Sequence, residues 1–227
     1  MYHQTKGIVL KTTKYGETSL ICTIYTCELG SQTFIVNGVR KKKGNMSYYQ
    51  PMNVLDITFF YKKDKAIQRM KEVKMHTIFT DIPSNIYKSS VAMFITEVLE
   101  KCLKEEEKNQ PLFNFITNSI SDLEQKPFDS QFHIRFLVDF SRYLGIFPDL
   151  SKAEESVCFD MLNGCFTNKK VEHPYTIRNA KEFYLALSGQ KTNDKKGVIN
   201  HLLKYYALHI DGFKEVKSKP ILETILN

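Results

Sequence analysis

The sequence predicts an α+β fold: a small five-stranded β-barrel over residues 1–80, then an α-helical domain over residues 81–227 with a small β-hairpin insertion at about 151–175. Three observations predict it. Apolar and polar residues alternate between turn signals as far as Met75. The spacing becomes helical after Asp81-Ile82-Pro83. An Asn163-Gly164 pair stands between two short apolar runs, the local signal of a hairpin.

The first strand is Gly7-Ile8-Val9-Leu10-Lys11-Thr12, closed by the turn residues Lys14-Tyr15-Gly16-Glu17. The second puts Leu20, Cys22 and Ile24 on one face and Ile21, Thr23 and Tyr25 on the other. Glu28-Leu29-Gly30-Ser31 turns the chain into Thr33-Phe34-Ile35-Val36. A fourth strand, Val54 to Tyr61, alternates Leu55, Ile57 and Phe59 with Asp56 and Thr58, and a fifth covers about Ala66 to Met75. Short strands rich in β-branched and aromatic residues suit a small barrel that needs no internal helix.

Helical spacing places Ile86, Val91, Phe94, Ile95, Val98, Leu99 and Cys102 on one stripe. Pro111 opens a second helix running to about Glu124. Asp129 or Ser130 caps a third, with the core stripe Phe132, Phe136, Leu137, Phe140 and Leu144. Beyond the hairpin, packed by Phe159, Leu162 and Phe166, helices are predicted at about Asn179–Leu187, Gly197–Ile210 and Pro220–Leu226.

Net charge is +7, and its distribution matters more than its size. Residues 1–80 hold 13 Lys and Arg against 5 Asp and Glu, a net of +8; the rest hold 19 against 20, a net of −1. A basic field on one segment attracts polyanions. No apolar run is long enough to span a bilayer, so no membrane contact is expected. The first residues lack a signal-peptide layout, so the chain is expected to be cytoplasmic. Five scattered cysteines read as reduced, buried thiols.

The most informative polar feature is Arg40-Lys41-Lys42-Lys43, between Gly38 and Gly44 and followed by Tyr48 and Tyr49. The residues alone leave two readings open. In one, the loop grips an oligonucleotide, with lysines on phosphates and tyrosines against bases; in the other, it is a solvated charged turn. There is no Walker loop, no His-Glu-x-x-His and no Gly-x-Ser-x-Gly. The few acidic residues of the barrel segment are too dispersed for a two-metal nuclease. No catalytic residue and no cofactor are therefore expected. The six histidines read as structural ones, His201 and His209 on one helix among them. Cys158 and Cys165, with His173 at a distance, fall short of the four ligands of a structural zinc.

In order along the chain, Lys6-Gly7-Ile8-Val9-Leu10-Lys11-Thr12, Tyr15-Gly16-Glu17, Leu29-Gly30 and Gly38-Val39-Arg40-Lys41-Lys42-Lys43 resemble the N-terminal domain of the RecO family of bacterial DNA repair proteins. Tyr143-Leu144-Gly145-Ile146-Phe147-Pro148-Asp149-Leu150, the stretch Leu203 to Ile210, and Lys217-Ser218 resemble its later helices and closing signature. The resemblance runs from about residue 6 to 226. It implies an oligonucleotide-binding (OB) barrel followed by a helical domain. It also implies a non-enzymatic recombination mediator that binds single- and double-stranded DNA and anneals complementary strands. Such proteins engage RecR and the single-stranded-DNA-binding protein and help load RecA, which makes RecA an indirect partner. The DNA contacts expected on this chain are Lys6, Lys11, Lys14, Arg40, Lys41, Lys42 and Lys43, with Lys62, Lys63 and Lys65 as outlying contributors. Many members carry a four-cysteine zinc module where this chain has only Cys158 and Cys165, so no metal ligands carry over. An interaction adaptor, working through the helical domain on an acidic, apolar peptide tail, is the rival reading.

Overall fold

Five strands close into a barrel in the order β1-β2-β3-β5-β4: β1 (Tyr2–Tyr15), β2 (Ser19–Thr26), β3 (Gly30–Val36), β4 (Val54–Phe60) and β5 (Ile67–Met75). The computed structural model describes residues 2–41, 44–168 and 174–226. Closure depends on the length of β1, which pairs antiparallel with β2 over Gly7–Tyr15 and with β4 over Tyr2–Ile8. Parallel pairing of β3 with β5 completes the circuit. Followed around the barrel, Thr13 partners Ile21, then Ile35, Arg69 and Phe60, and the path returns to β1 at Tyr2. That offset is the stagger that closing a small barrel requires.

The alternating residues seen in the sequence for the second and fourth strands, Leu20, Cys22, Ile24, Leu55, Ile57 and Phe59, become its interior and pack with Val9, Phe34 and Val36. Each such burial contributes roughly 1.5–3 kcal/mol. Two bulges interrupt the ladders. Leu10 is the extra residue between Val9 and Lys11 in β1, so Gly7 to Leu10 are all buried; Lys71 is the extra residue in β5, between the pairs Phe59–Met70 and Thr58–Glu72.

Helices follow as α1 (Asp81–Ser84), α2 (Ile86–Cys102), α3 (Gln110–Gln125), α4 (Phe132–Tyr143), α5 (Lys181–Leu187), α6 (Lys195–His209) and α7 (Lys219–Leu226). Strands β6 (Cys158–Asp160), β7 (Cys165–Thr167) and β8 (Thr176–Ile177) form a second sheet in the order β7-β6-β8. Strands give way to helices at Asp81, but the compact units divide elsewhere. One contains the chain up to Phe128 together with the segment from Val216 on; the other is Asp129–Glu215.

In the first unit, Asn85 caps α2 by accepting from the Tyr87 and Lys88 backbone N–H groups, and Val91, Phe94, Ile95, Val98 and Leu99 form the buried stripe. Lys88, only 2% exposed, donates its ammonium to Asp81 and to the Glu124 and Lys126 carbonyls at 2.9 and 2.7 Å. A cation there meets the negative end of α3. Glu124 acts at the other pole, accepting from the Thr80, Asp81 and Ile82 N–H groups that open α1. At Gly30 (φ +59°) a β-carbon would stand 2.4 Å from the Glu105 carbonyl oxygen, which accepts from Ser31 N–H at 2.9 Å. Glu97 on α2 accepts from Lys217 N–H, Ser218 N–H and Ser218 Oγ at 2.9, 2.8 and 2.6 Å, fastening the start of α7.

In the second unit, Phe136, Leu137 and Phe140 of α4 are buried, and Tyr206 of α6 donates its hydroxyl to the Leu137 carbonyl at 2.6 Å. Phe159 sits among Phe166, Phe183 and Tyr205, ring centroids 5.0, 5.0 and 5.8 Å away. The hairpin turn is held by Asp160, which accepts from Leu162 and Asn163 N–H. Leu162 does not pack as expected: it is 46% exposed, because the turn points it outward. The hairpin also gains β8 on β6, making three strands.

Candidate nucleic-acid interface

Barrel topology sorts the expected DNA contacts by end. The β1–β2 turn and the loop after β3 leave one end; the β2–β3 turn and the β4–β5 loop leave the other. Lys14, Arg40 and Lys41 share the first end. Lys14 partners Leu20, which partners Val36 at the exit of β3, and Arg40 Nη1 donates to the Gly16 carbonyl at 2.8 Å. Arg40 N–H donates to the Thr18 carbonyl at 3.1 Å. Arg40 is thus half-buried and ties the basic loop to the neighbouring turn, while Lys14 and Lys41 project into solvent. Lys42 and Lys43 lie outside the described residues.

Lys62, Lys63 and Lys65 occupy the opposite end and are exposed. Buried Gln68 shapes their loop: it accepts from Lys62 N–H at 3.0 Å and donates to the Lys62 and Lys65 carbonyls at 2.8 and 2.7 Å. A loop held this way fixes the backbone from which the lysines project, at low ordering cost.

Between the ends, Lys6 and Lys11 sit along β1 in mixed company. Lys6 partners Asp56 across the ladder and lines a cleft of about 860 Å³ with Glu72, Lys74, His76 and Asn114. Lys11 reaches α2, its ammonium 2.9 Å from a Glu100 carboxylate oxygen, so much of its charge is already answered.

Tyr49, expected beside the basic loop as a stacking ring, is instead 2% exposed. A short 3₁₀ turn, Met46–Tyr49, folds it into the barrel core, with Thr12 Oγ1 donating to its carbonyl at 2.8 Å; burial raises its phenol pKa above the ordinary value. Tyr48 packs half-buried beside it. Among the described residues of the barrel the exposed rings are Tyr2, Tyr15 and Phe60, none of them expected as stacking groups from the sequence. A signal was present: Phe60 follows Phe59 in a strand whose inner face is Leu55, Ile57 and Phe59, so it must point outward.

Elsewhere the chemistry is structural. Among the described residues no group of three or more His, Cys, Asp or Glu is placed to hold a metal ion. Cys158 Sγ lies 3.4 Å from the Arg178 carbonyl, and the hairpin register pairs Cys158 with Thr167 and Cys165 with Asp160. His209 Nε2 bonds the Met161 carbonyl at 2.8 Å, and the His201 ring meets Phe183 edge-on. Among the described residues no helix is long and apolar enough to cross a membrane.

A closed OB-type barrel with cationic loops at both ends, in one chain with a helical unit bearing a three-stranded sheet, defines a class of two-part OB-barrel proteins. Within that class, the chain belongs to the RecO family of DNA repair and recombination proteins. Residues 1–79 match the family model described as Recombination protein O N terminal, and residues 83–219 the one described as Recombination protein O C terminal. The chain is 32% identical to DNA repair protein RecO of Flavobacterium psychrophilum over 240 residues, and 33% identical to that of Phocaeicola vulgatus over 244. Both alignments cover 100% of each chain. Identity to DNA repair protein RecO of Bacteroides fragilis (strain YCH46) is 31% over 242 residues.

Proposed function

We propose that this protein is a non-enzymatic recombination mediator: it binds single- and double-stranded DNA, anneals complementary strands, and with RecR helps load RecA on strands coated by single-stranded-DNA-binding protein. The observation that carries the reading is the confinement of the excess positive charge, net +8, to the segment that forms the barrel. Residues 1–80 are the DNA-contacting part, through Lys6, Lys11, Lys14, Arg40, Lys41, Lys42, Lys43, Lys62 and Lys63; residues 81–227 serve protein partners. Lys14, Lys41, Lys62 and Lys63 are exposed and contribute most; Arg40 chiefly positions its loop, and Lys11 contributes least because Glu100 holds it. Annealing needs no catalytic group, since neutralising two phosphate backbones removes the repulsion that keeps them apart.

The test replaces Arg40 through Lys43 with alanine and measures Kd for DNA across a salt series. Affinity should fall, and the slope of log K against log salt should flatten by about 1 for each phosphate no longer neutralised. Unchanged affinity and slope would remove this loop from the interface. A strand-annealing assay with and without the cognate single-stranded-DNA-binding protein tests the mediator role, and cleavage of labelled DNA with Mg²⁺ or Mn²⁺ would overturn the non-enzymatic reading.

The adaptor reading also has an observation behind it. A small cleft of about 200 Å³ in the second unit has Val138, Leu150 and Leu187 beside Arg135 and Arg142. Arg142 lies 3.4 Å over the Phe147 ring. Asp139 also lines the cleft, 3.8 Å from Arg142, and Arg135 pairs with Asp129 at 2.6 Å. An acidic, apolar peptide tail such as that of the single-stranded-DNA-binding protein would compete with these carboxylates for the two guanidiniums. Arg142→Glu should abolish binding of such a peptide while leaving DNA affinity intact; a variant that keeps both, or that is impaired in both, counts against it.

A further inference from the structure

We propose that the outer barrel face formed by Tyr2, Phe60 and Arg69 is a base-stacking platform for single-stranded DNA. The proposal rests on the DNA-binding reading and deepens it. The three residues are direct partners across β1, β4 and β5, so they form one row on the outside of the barrel. Tyr2 is 58% exposed and Phe60 40%, their ring centroids 5.7 Å apart at an interplanar angle of 79°. Phe34 and Phe59, by contrast, lie wholly inside the barrel.

Cations are set against these rings. The Lys71 ammonium lies 4.1 Å from the centre of the Tyr2 ring, and that of Lys62 5.5 Å from the Phe60 ring. Lys71 is the extra residue of the β5 bulge, and a bulge re-aims the side chain it carries. Residues 60–72 hold Lys62, Lys63, Lys65, Arg69 and Lys71 against Asp64 and Glu72, with the Glu72 carboxylate 4.0 Å from Lys71 at the rim. The patch is aromatic and cationic together, which matches a polyanion with free aromatic faces.

An unpaired strand has both properties. Its bases can stack on an exposed ring or on a guanidinium plane, whereas the bases of a duplex are stacked on one another. Base stacking on an aromatic ring is worth more than an exposed cation–π contact. An arriving base therefore displaces the ammonium, which swings on its flexible stem to a phosphate. The lysines lie against the rings in the free protein and neutralise the strand in the complex.

The experiment compares the full-length protein with a Tyr2→Leu/Phe60→Leu variant, which keeps apolar bulk but removes the π-faces. Anisotropy is read with a labelled single strand and with a duplex of the same sequence. Single-strand affinity should fall roughly 10- to 100-fold while duplex affinity stays within about twofold. Unchanged single-strand affinity, or equal weakening on both DNAs, would overturn the platform. Wild-type protein that binds neither DNA would overturn the DNA-binding reading itself. Should the variant fail to fold, photocrosslinking of wild-type protein to iododeoxyuridine-substituted single strands decides: adducts at Tyr2 or Phe60 support the platform, and adducts confined to other residues refute it.

Discussion

Lys88 shows how one side chain can organise several elements. Its ammonium has three oxygen partners and almost no water, so truncation would strand the Glu124 and Lys126 carbonyls and leave Asp81 without its cation. Removing one member of a buried ion pair costs about 3–5 kcal/mol; Asp81 is half-exposed, which places Lys88→Met near the lower end, readable as a drop in the urea midpoint. His133 sets a pH dependence. Burial pushes its pKa down to about 4, with Lys195 adding in the same direction, whereas an unfolded histidine titrates near 6.5. The unfolded chain therefore binds the extra proton first, and stability should decline as pH falls from about 6.5 towards 4. A thermal midpoint that tracks pH in the wild type and flattens over this window in His133→Asn would confirm the source.

At the scale of elements, close approach matters more than propensity. Gly16, in the β1–β2 turn, has φ +56° and open space around it, so Gly16→Ala should cost only the left-handed penalty of about 1–2 kcal/mol. Gly30→Ala adds a clash with the Glu105 carbonyl and should cost clearly more, with hydrogen exchange accelerating along β3. The alternation of β2 and β4 was legible in the sequence because it depends only on period two. The double pairing of β1 was not, since nothing local says that one strand serves two partners. Nor was β8, two residues long and defined only by its pairing with β6. Among the candidate contacts, the positions of Lys14, Lys41 and Lys62 in or beside turns were readable. The burial of Tyr49 and the pairing of Lys11 with Glu100, 89 residues away, were decided by distant partners.

For the whole molecule, charge placement predicts a salt response. Because the positive excess is confined to residues 1–80, charge removal there should flatten the dependence of DNA binding on salt, whereas Lys181→Ala and Lys214→Ala in the near-neutral remainder should leave the slope unchanged. Isothermal titration across the salt series separates the two. The Glu97 clasp carries a different consequence. Burial opposes ionisation of this carboxyl, but the bonds from Ser218 and Lys217 and the charge of Lys101 outweigh it and hold its pKa below the usual glutamate range. The clasp is therefore intact above about pH 4.3 and loosens as pH falls through the lower folded value. Its two sides lie 121 residues apart in sequence, and the intervening chain includes a whole second unit. On the ribosome, the barrel and α2 emerge long before the segment that fastens to them. The first unit must wait, incomplete, while residues 129–215 are made, and a nascent chain stalled late in that interval, with α2 clear of the exit tunnel, should show Glu97 open to solvent and α2 unprotected on the side that α7 later covers.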